Sequence, residues 1–345
     1  MAAYISFQPS DFFNTKLYDG NSSTQAITGV GFQPDFVWIK NRTDTNNHRL
    51  YDAPRGVENS LISDDSSAQS SSTGLTAFDA DGFTLGSTGS QNGTGHDYVS
   101  WNWKGGTTAV PSGGGITPSA VSFSATSGFG VYTYTGTGTA TTIAHGLGVA
   151  PTLMIVKKTN TSQSWAVFST AEGMGYNKAI ALNSNGGSFG GTSYWDSTNP
   201  TSTLLSVGTD TETNASGASY VLYAFASVRG HSQFGGYKGN GSDNGTFIYT
   251  GFRPAYVLIK HADAANNWTV FDNKRDPVGN PTDKALQPNS SGVEYSETDG
   301  VDLLSNGFKV RESASWINTS NDNYIYMAFA ASPIVSSNSK AGTAY

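Results

Sequence analysis

The chain has 345 residues, a net charge of −7, charged residues at 13%, aromatic residues at 12% and no cysteine. The acidic balance disfavours binding to phosphate backbones, and many aromatics with few charges disfavour disorder. Without cysteine there are no disulfides, thiolate metal sites or cysteine nucleophiles. Forty-one glycines among abundant Ser, Thr and Asn suit many short strands joined by tight turns.

In chain order, the opening MAAYISFQPSDFF lacks a basic region followed by an apolar run, so no export signal is expected, and no segment is long and apolar enough to span a bilayer. Leu17-Tyr18 before Gly20 reads as a short strand. The block GFQPDFVWIK, Gly31 to Lys40, reads as a central strand, because Phe36, Trp38 and Lys40 alternate with Val37 and Ile39 and both faces are largely apolar. Pro34 marks the turn that feeds it. The run His48-Arg49-Leu50-Tyr51-Asp52 follows, then FDADGFTLGS at Phe78, and DYVSWNWK from Asp97 closes the unit.

This pattern occurs three times. The central block returns as GVAPTLMIVK, Gly148 to Lys157, and as GFRPAYVLIK, Gly251 to Lys260. Pro34, Pro151 and Pro254 share one position, and Lys40, Lys157 and Lys260 another. Counting the same distance onward reaches His48, Trp165 and Trp268, so Trp165 and Trp268 are expected in the core. The closing strand returns as SYVLYAFA from Ser219 and NYIYMAFA from Asn323, with Asn92, Asn214 and Asn318 at a fixed distance before its tyrosine. Such a repeat fixes an architecture. The fold class it predicts is all-β, three tandem antiparallel β-sandwich repeats of jelly-roll or lectin-like type. The expected division is repeat 1 at 1–104, a Gly/Pro/Ser-rich linker at 105–127, repeat 2 at 128–230, repeat 3 at 231–334 and a polar tail at 335–345.

No phosphate loop, HExxH, nucleophile elbow or EF-hand loop is present, and the five histidines lack metal-ligand spacing. No catalytic residue, metal or cofactor is therefore expected. Asp52 with Arg55, and Asp272 with Arg275, recur in repeats 1 and 3 and read as bracing ion pairs, with a ligand-binding pair as the minority reading; repeat 2 has Ser169 and Glu172 there. Aromatics that do not recur are the better candidates for contact with a glycan or another subunit: Tyr194 and Trp195 in SYWDSTNPTS, and Trp316 in ESASWINTS.

The opening YISFQPSDFFNTKLYDG, the GFQPDFVWIKNR block, FDADGFTLGS, YVSWNWKGG, LGVAPTLMIVK, GFRPAYVLIK with NGFKVR, and YIYMAFAASP together resemble repeat-built virion proteins of tailed phages, known as tail-fibre, structural or SPRY/lectin-like proteins. The resemblance covers nearly the whole chain. It implies a non-enzymatic structural protein on the virion surface, made in the host cytoplasm, with a tail fibre or adhesin contacting the host as first choice. A capsid decoration (head fibre or cement) is the alternative, and a glycan-cleaving tailspike the alternative of another class. The implied partners are other virion proteins, a host surface glycan, and further copies of the chain in a homo-oligomer, with a trimer expected.

Overall fold

The computed structural model describes residues 7–277, 279–332, 334–335 and 341–342. Almost all regular structure is antiparallel β-sheet, and the threefold repeat of the sequence is a threefold repeat of topology. Each unit has a four-strand inner arrangement in the spatial order opening, closing, central, following. In unit 1 these strands are Phe13–Asp19, Asp97–Trp103, Phe36–Asn41 and Arg49–Asp52. In unit 2 they are Phe129–Thr135, Ser219–Phe225, Leu153–Lys158 and Trp165–Ser169, extended by strands on both sides into a seven-stranded sheet. In unit 3 they are Ser232–Lys238, Asn323–Ala330, Pro254–His261 and Thr269–Asp272.

Each inner sheet has two apolar faces, and they go to different places. Val37 and Ile39, Met154 and Val156, and Val257 and Ile259 pack outward on the side of a second, outer sheet, giving each unit its own core. The opposite faces all meet in one common core. Phe36, Trp38, Trp101 and Trp103 of unit 1 pack there with Phe129, Trp165, Tyr223 and Phe225 of unit 2 and with Tyr256, Trp268 and Phe329 of unit 3. Ring contacts join every pair of units: Phe36 to Tyr223 at 4.5 Å, Phe225 to Phe329 at 6.3 Å and Phe13 to Phe329 at 4.5 Å. The expectation of three separate sandwiches is corrected here. A central strand apolar on both sides needs two covers, and the second cover is the other two units.

The repeated prolines and tryptophans hold this framework at matching points. The three prolines are buried where the central strands begin, and Trp165 and Trp268 are core. Gly105–Ser127, by contrast, is not a free linker: it holds the strand Ala120–Ser124 on the edge of the unit 2 sheet, and buried Ile116 bridges to Ile143. The tail 335–345 lies largely outside the described residues; at its start, Ile334–Val335 pairs with Ala341–Gly342.

The repeated Asn and Tyr form one device three times. Tyr18 stacks on Tyr98 at 5.1 Å, Tyr134 on Tyr220 at 5.1 Å and Tyr237 on Tyr324 at 5.0 Å. The closing-strand tyrosine hydroxyl accepts from the backbone N–H of Gly93, Ala215 or Thr319, and donates to the carbonyl of Gly89, Thr211 or Ser315. The buried amide beside it clamps a neighbouring turn: Asn92 donates to Ser23 O and Gly86 O, Asn214 to Thr139 O and Gly208 O, and Asn318 to Ser242 O. The opening strand is followed at once by Gly20, Gly136 or Gly239, where a Cβ would lie within 2.3 Å of the carbonyl oxygen of Gly93, Ala215 or Thr319. Only glycine fits so close an approach.

Candidate functional site

Units are joined by side chains that reach across the seams, always in the same rotational sense. Trp165 Nε1 of unit 2 donates to Ile62 O of unit 1 at 2.8 Å, and Trp268 Nε1 of unit 3 donates to Ala181 O of unit 2 at 2.9 Å. At the same position unit 1 has His48, which accepts from Trp38 Nε1 at 2.9 Å through Nδ1 and so presents Nε2–H to Gln287 O of unit 3 at 3.1 Å. Burial, with Lys40 nearby, holds the His48 pKa well below the usual histidine value, so the ring is neutral.

The three repeated lysines obey the same rule. Each is fully buried, and its ammonium donates to carbonyls: Lys40 to Ser291 O of unit 3, Lys157 to Ser66 O of unit 1, Lys260 to Asn185 O of unit 2. No carboxylate forms an ion pair with any of them among the described residues. Desolvation therefore depresses their pKa values to about 8, about 8 and about 7. They sit on the core-facing side and act as pegs between units, which leaves them no access to a ligand.

The Asp–Arg pairs are braces. Asp52 binds Arg55 at 2.6 Å and accepts from Tyr223 OH of unit 2 at 2.7 Å; Asp272 binds Arg275 at 2.6 Å and accepts from Trp101 Nε1 of unit 1 at 3.1 Å. Both carboxylates are fully buried.

The aromatics expected to contact a glycan do not come together. Trp195 is fully buried, its Nε1 donating to Lys178 O at 3.1 Å and its ring 5.5 Å from Phe168, so it is core and the expectation is corrected. The stretch that reads as a polar loop folds as the short helix Thr192–Trp195, which turns the indole inward. Tyr194 is half-buried against Phe189 and Trp195. Trp316, in the helix Ser315–Asn318 of unit 3, is half-buried beside Phe271 and packs on a different core.

An open depression lies elsewhere, at the seam between units 3 and 1. At the seams between units 1 and 2 and between units 2 and 3, the closing strand runs on covalently into the next unit. The third seam is joined by the Arg42–Glu294 ion pair at 2.8 Å, by Glu294 N donating to Arg42 O at 2.8 Å, and at its other end by Ser10 N donating to Ser332 Oγ at 3.3 Å. Beside that contact is a groove of about 360 Å³ walled by Asn14 and Thr15 of unit 1 and by Arg253, Asn273 and Lys274 of unit 3, with Phe13, Ala255 and Ala330 beneath. Arg253 and Asn273 also line a second depression of about 260 Å³, which continues past Asp276, Asn280 and Thr282. No local motif marks these residues, yet the sequence carries a signal: where unit 3 has Arg253, Asn273 and Lys274, unit 1 has Gln33, Ala53 and Pro54, and unit 2 has Ala150, Thr170 and Ala171.

Unit 3 departs from the repeat at a second place. Its outer edge strand Phe247–Tyr249 exposes Phe247 (44%) and Tyr249 (67%), where the matching edge strand of unit 1 has Ala26 and Thr28. Tyr249 pairs with Gly307, which offers it no side chain across the strand.

Among the described residues no three histidines or acids gather as a metal site, and no helix is long and apolar enough to cross a membrane. The geometry defines an all-β protein of three units interlocked around a common core. The chain belongs to the family described as Domain of unknown function (DUF7483), whose model matches residues 8–333. No curated protein and no solved structure matches it.

Proposed function

We propose that this protein is a non-enzymatic structural component of a tailed-phage virion surface, placed on the tail as a fibre or adhesin that touches the host. The observation that carries the reading is the division of labour between the repeat and its exceptions. Residues shared by the three units serve cohesion, through a common core, buried pegs and clamps. Some residues peculiar to unit 3, among them Phe247, Tyr249 and Lys274, are exposed instead. A body without disulfides that endures outside a cell draws its durability from burial, and a three-way interlock supplies it. Each unit, an inner sheet covered by an outer one, is read as a lectin-like sandwich.

The internal threefold favours one second reading, a capsid decoration, because a single chain of this shape matches a threefold position on a shell without trimerising first. A homo-oligomer built from it is then a set of chains each already threefold inside, and its order is read by light scattering. Labelling the protein and imaging virions separates the placements: the tail reading requires label on purified tails after heads are removed, and label confined to heads overturns it. Competition with phage adsorption tests the adhesin role. A drop in viscosity of host polysaccharide on incubation with the protein would replace this reading with the glycan-cleaving one.

A further inference from the structure

We propose that Asn244 is a site of self-modification: the backbone nitrogen of Gly245 attacks its side-chain amide, which becomes an aspartyl or isoaspartyl carboxylate, with Asn240 and Lys309 assisting. The inference does not depend on where the chain stands on a virion.

The chain has five Asn–Gly steps, beginning at Asn92, Asn185, Asn240, Asn244 and Asn306. Glycine offers the least hindered backbone nitrogen, so by sequence all five stand alike. The structure separates them. Ring closure needs a glycine N–H free to lose its proton, and at three steps that N–H is already donated: Gly93 N to Tyr98 OH at 2.8 Å, Gly186 N to Ser184 Oγ at 3.0 Å and Gly241 N to Asn318 O at 2.8 Å. At another, Gly307 is held in the strand Gly307–Val310 between Leu304 and Tyr249. Gly245 N–H has no acceptor among the described residues, and Asn244 is exposed to the water that the second step consumes.

Two contacts activate this step from both ends. The Lys309 ammonium donates to Asn244 Oδ1, the oxygen on which negative charge collects as the tetrahedral intermediate forms. Asn240 Nδ2 donates to Asn244 O at 3.1 Å, the carbonyl of the peptide whose N–H must ionise, and a hydrogen bond to the charged form favours that form. Asn240, earlier in the same exposed loop, is placed differently as a reactant: its Oδ1 accepts only from neutral amides, Ser242 N at 3.0 Å and Asn318 Nδ2 at 2.9 Å. The fold itself keeps a glycine behind Asn244, because a Cβ on Gly245 would lie 2.5 Å from Val310 O.

The chemistry needs only water. Gly245 N gives up its proton and bonds to Asn244 Cγ; the Cγ–Nδ2 bond breaks, and the amide nitrogen takes up a proton and leaves as ammonia, closing a succinimide. Water then opens the ring at either carbonyl to give aspartate or isoaspartate, and Lys309 keeps its proton throughout. The product sets a carboxylate against the Lys309 ammonium and adds one negative charge to a chain of net charge −7. The isoaspartyl form also lengthens the main chain at the turn that feeds the exposed strand Phe247–Tyr249.

The test is incubation of the full chain at mildly alkaline pH, native in one arm and unfolded in guanidinium chloride in the other, with peptide mass spectrometry that follows each of the five steps. In the unfolded arm the five are expected to convert at comparable rates. In the native arm Asn244 is expected to convert at least about tenfold faster than any other, and Lys309→Gln to slow it at least about fivefold. Conversion at Asn240 equal to that at Asn244, no native conversion at Asn244 while the unfolded chain converts, or an unchanged rate in Lys309→Gln overturns the proposal. Where Lys309→Gln fails to fold, shown by fast conversion at the other steps, the wild-type ranking and the same rate measurement on Lys309→Met decide it.

Discussion

The seams of units 1 and 3 differ from that of unit 2 in one buried device. Asp52 and Asp272 each hold an arginine and also receive a donor from a neighbouring unit, Tyr223 OH or Trp101 Nε1. Unit 2 has Ser169 in that place and Glu172 in place of the arginine, and unit 3 offers it Met327 at the position of the incoming donor. Acceptor, cation and donor are absent together. Ser169 keeps only the local turn, in which its Oγ accepts from Ala171 N at 3.1 Å, as Asp272 Oδ1 accepts from Lys274 N at 3.0 Å. The comparison teaches that the brace is one unit of design. A buried charge survives only with all its partners, and where one goes an apolar contact replaces the set.

The sharpest way to break that contrast is to remove one member. Asp272→Ala leaves the Arg275 guanidinium buried with part of its partners gone, although Glu294 remains at 3.2 Å, and strips Trp101 Nε1 of its acceptor. A loss of about 3–5 kcal/mol in unfolding free energy by denaturant titration is expected. Ser169→Ala should cost no more than about 1 kcal/mol. Equal losses would show that the brace is not a unit. The reverse change, Ser169→Asp, buries a carboxylate near Glu172 with no arginine to meet it; a loss of about 2–4 kcal/mol is expected, partly restored by adding Glu172→Arg.

A good part of this was legible in the sequence, for physical reasons. Repetition at fixed spacing exposed Pro34, Lys40 and their counterparts, Trp165 and Trp268, and the Asn–Tyr pairs, because three copies of one packing problem keep the same solution. The common core was not legible. Phe36 and Val37 are equally apolar, and alternation reports that two faces are buried without reporting what covers each. Trp195 misled because its neighbours are Ser, Thr and Asn, and polar neighbours hide a single turn of helix that points one ring inward. Arg253 and Lys274 escaped because a groove is made by distant segments and leaves no local pattern.

The lysine pegs give the next effect in size, and they test whether all three seams behave alike. Their folded-state pKa values, about 8 for Lys40 and Lys157 and about 7 for Lys260, lie below the value of 10.5 for a free lysine. Between those limits the unfolded chain binds more protons than the folded one, so stability rises with pH. From pH 7 to 9.5 a gain on the order of 1 kcal/mol or more per lysine is expected, read from denaturation midpoints. Lys260→Met should remove the part of the rise that begins near pH 7 and leave the part that Lys40 and Lys157 add from about pH 8. A stability that falls across this window would mean that the ammoniums are better solvated than their burial implies.

The smallest expected effect concerns the surface of unit 3. Tyr249 is two-thirds exposed on an edge strand and pairs with a glycine, so Tyr249→Ser removes little packing, and a stability change within about 0.5 kcal/mol is expected. Trp195→Phe, although drawn from the same class of non-repeating aromatic, takes away a buried indole and its hydrogen bond to Lys178 O, and should cost about 1–3 kcal/mol. The pair separates two meanings of a residue that breaks a repeat. If Tyr249→Ser leaves stability alone but lowers binding to host cells, the exception is an outward-facing one and unit 3 is where the chain meets its partner. If it lowers stability as much as Trp195→Phe, the ring is held by a neighbouring copy or strand, and the asymmetry of the third unit belongs to assembly.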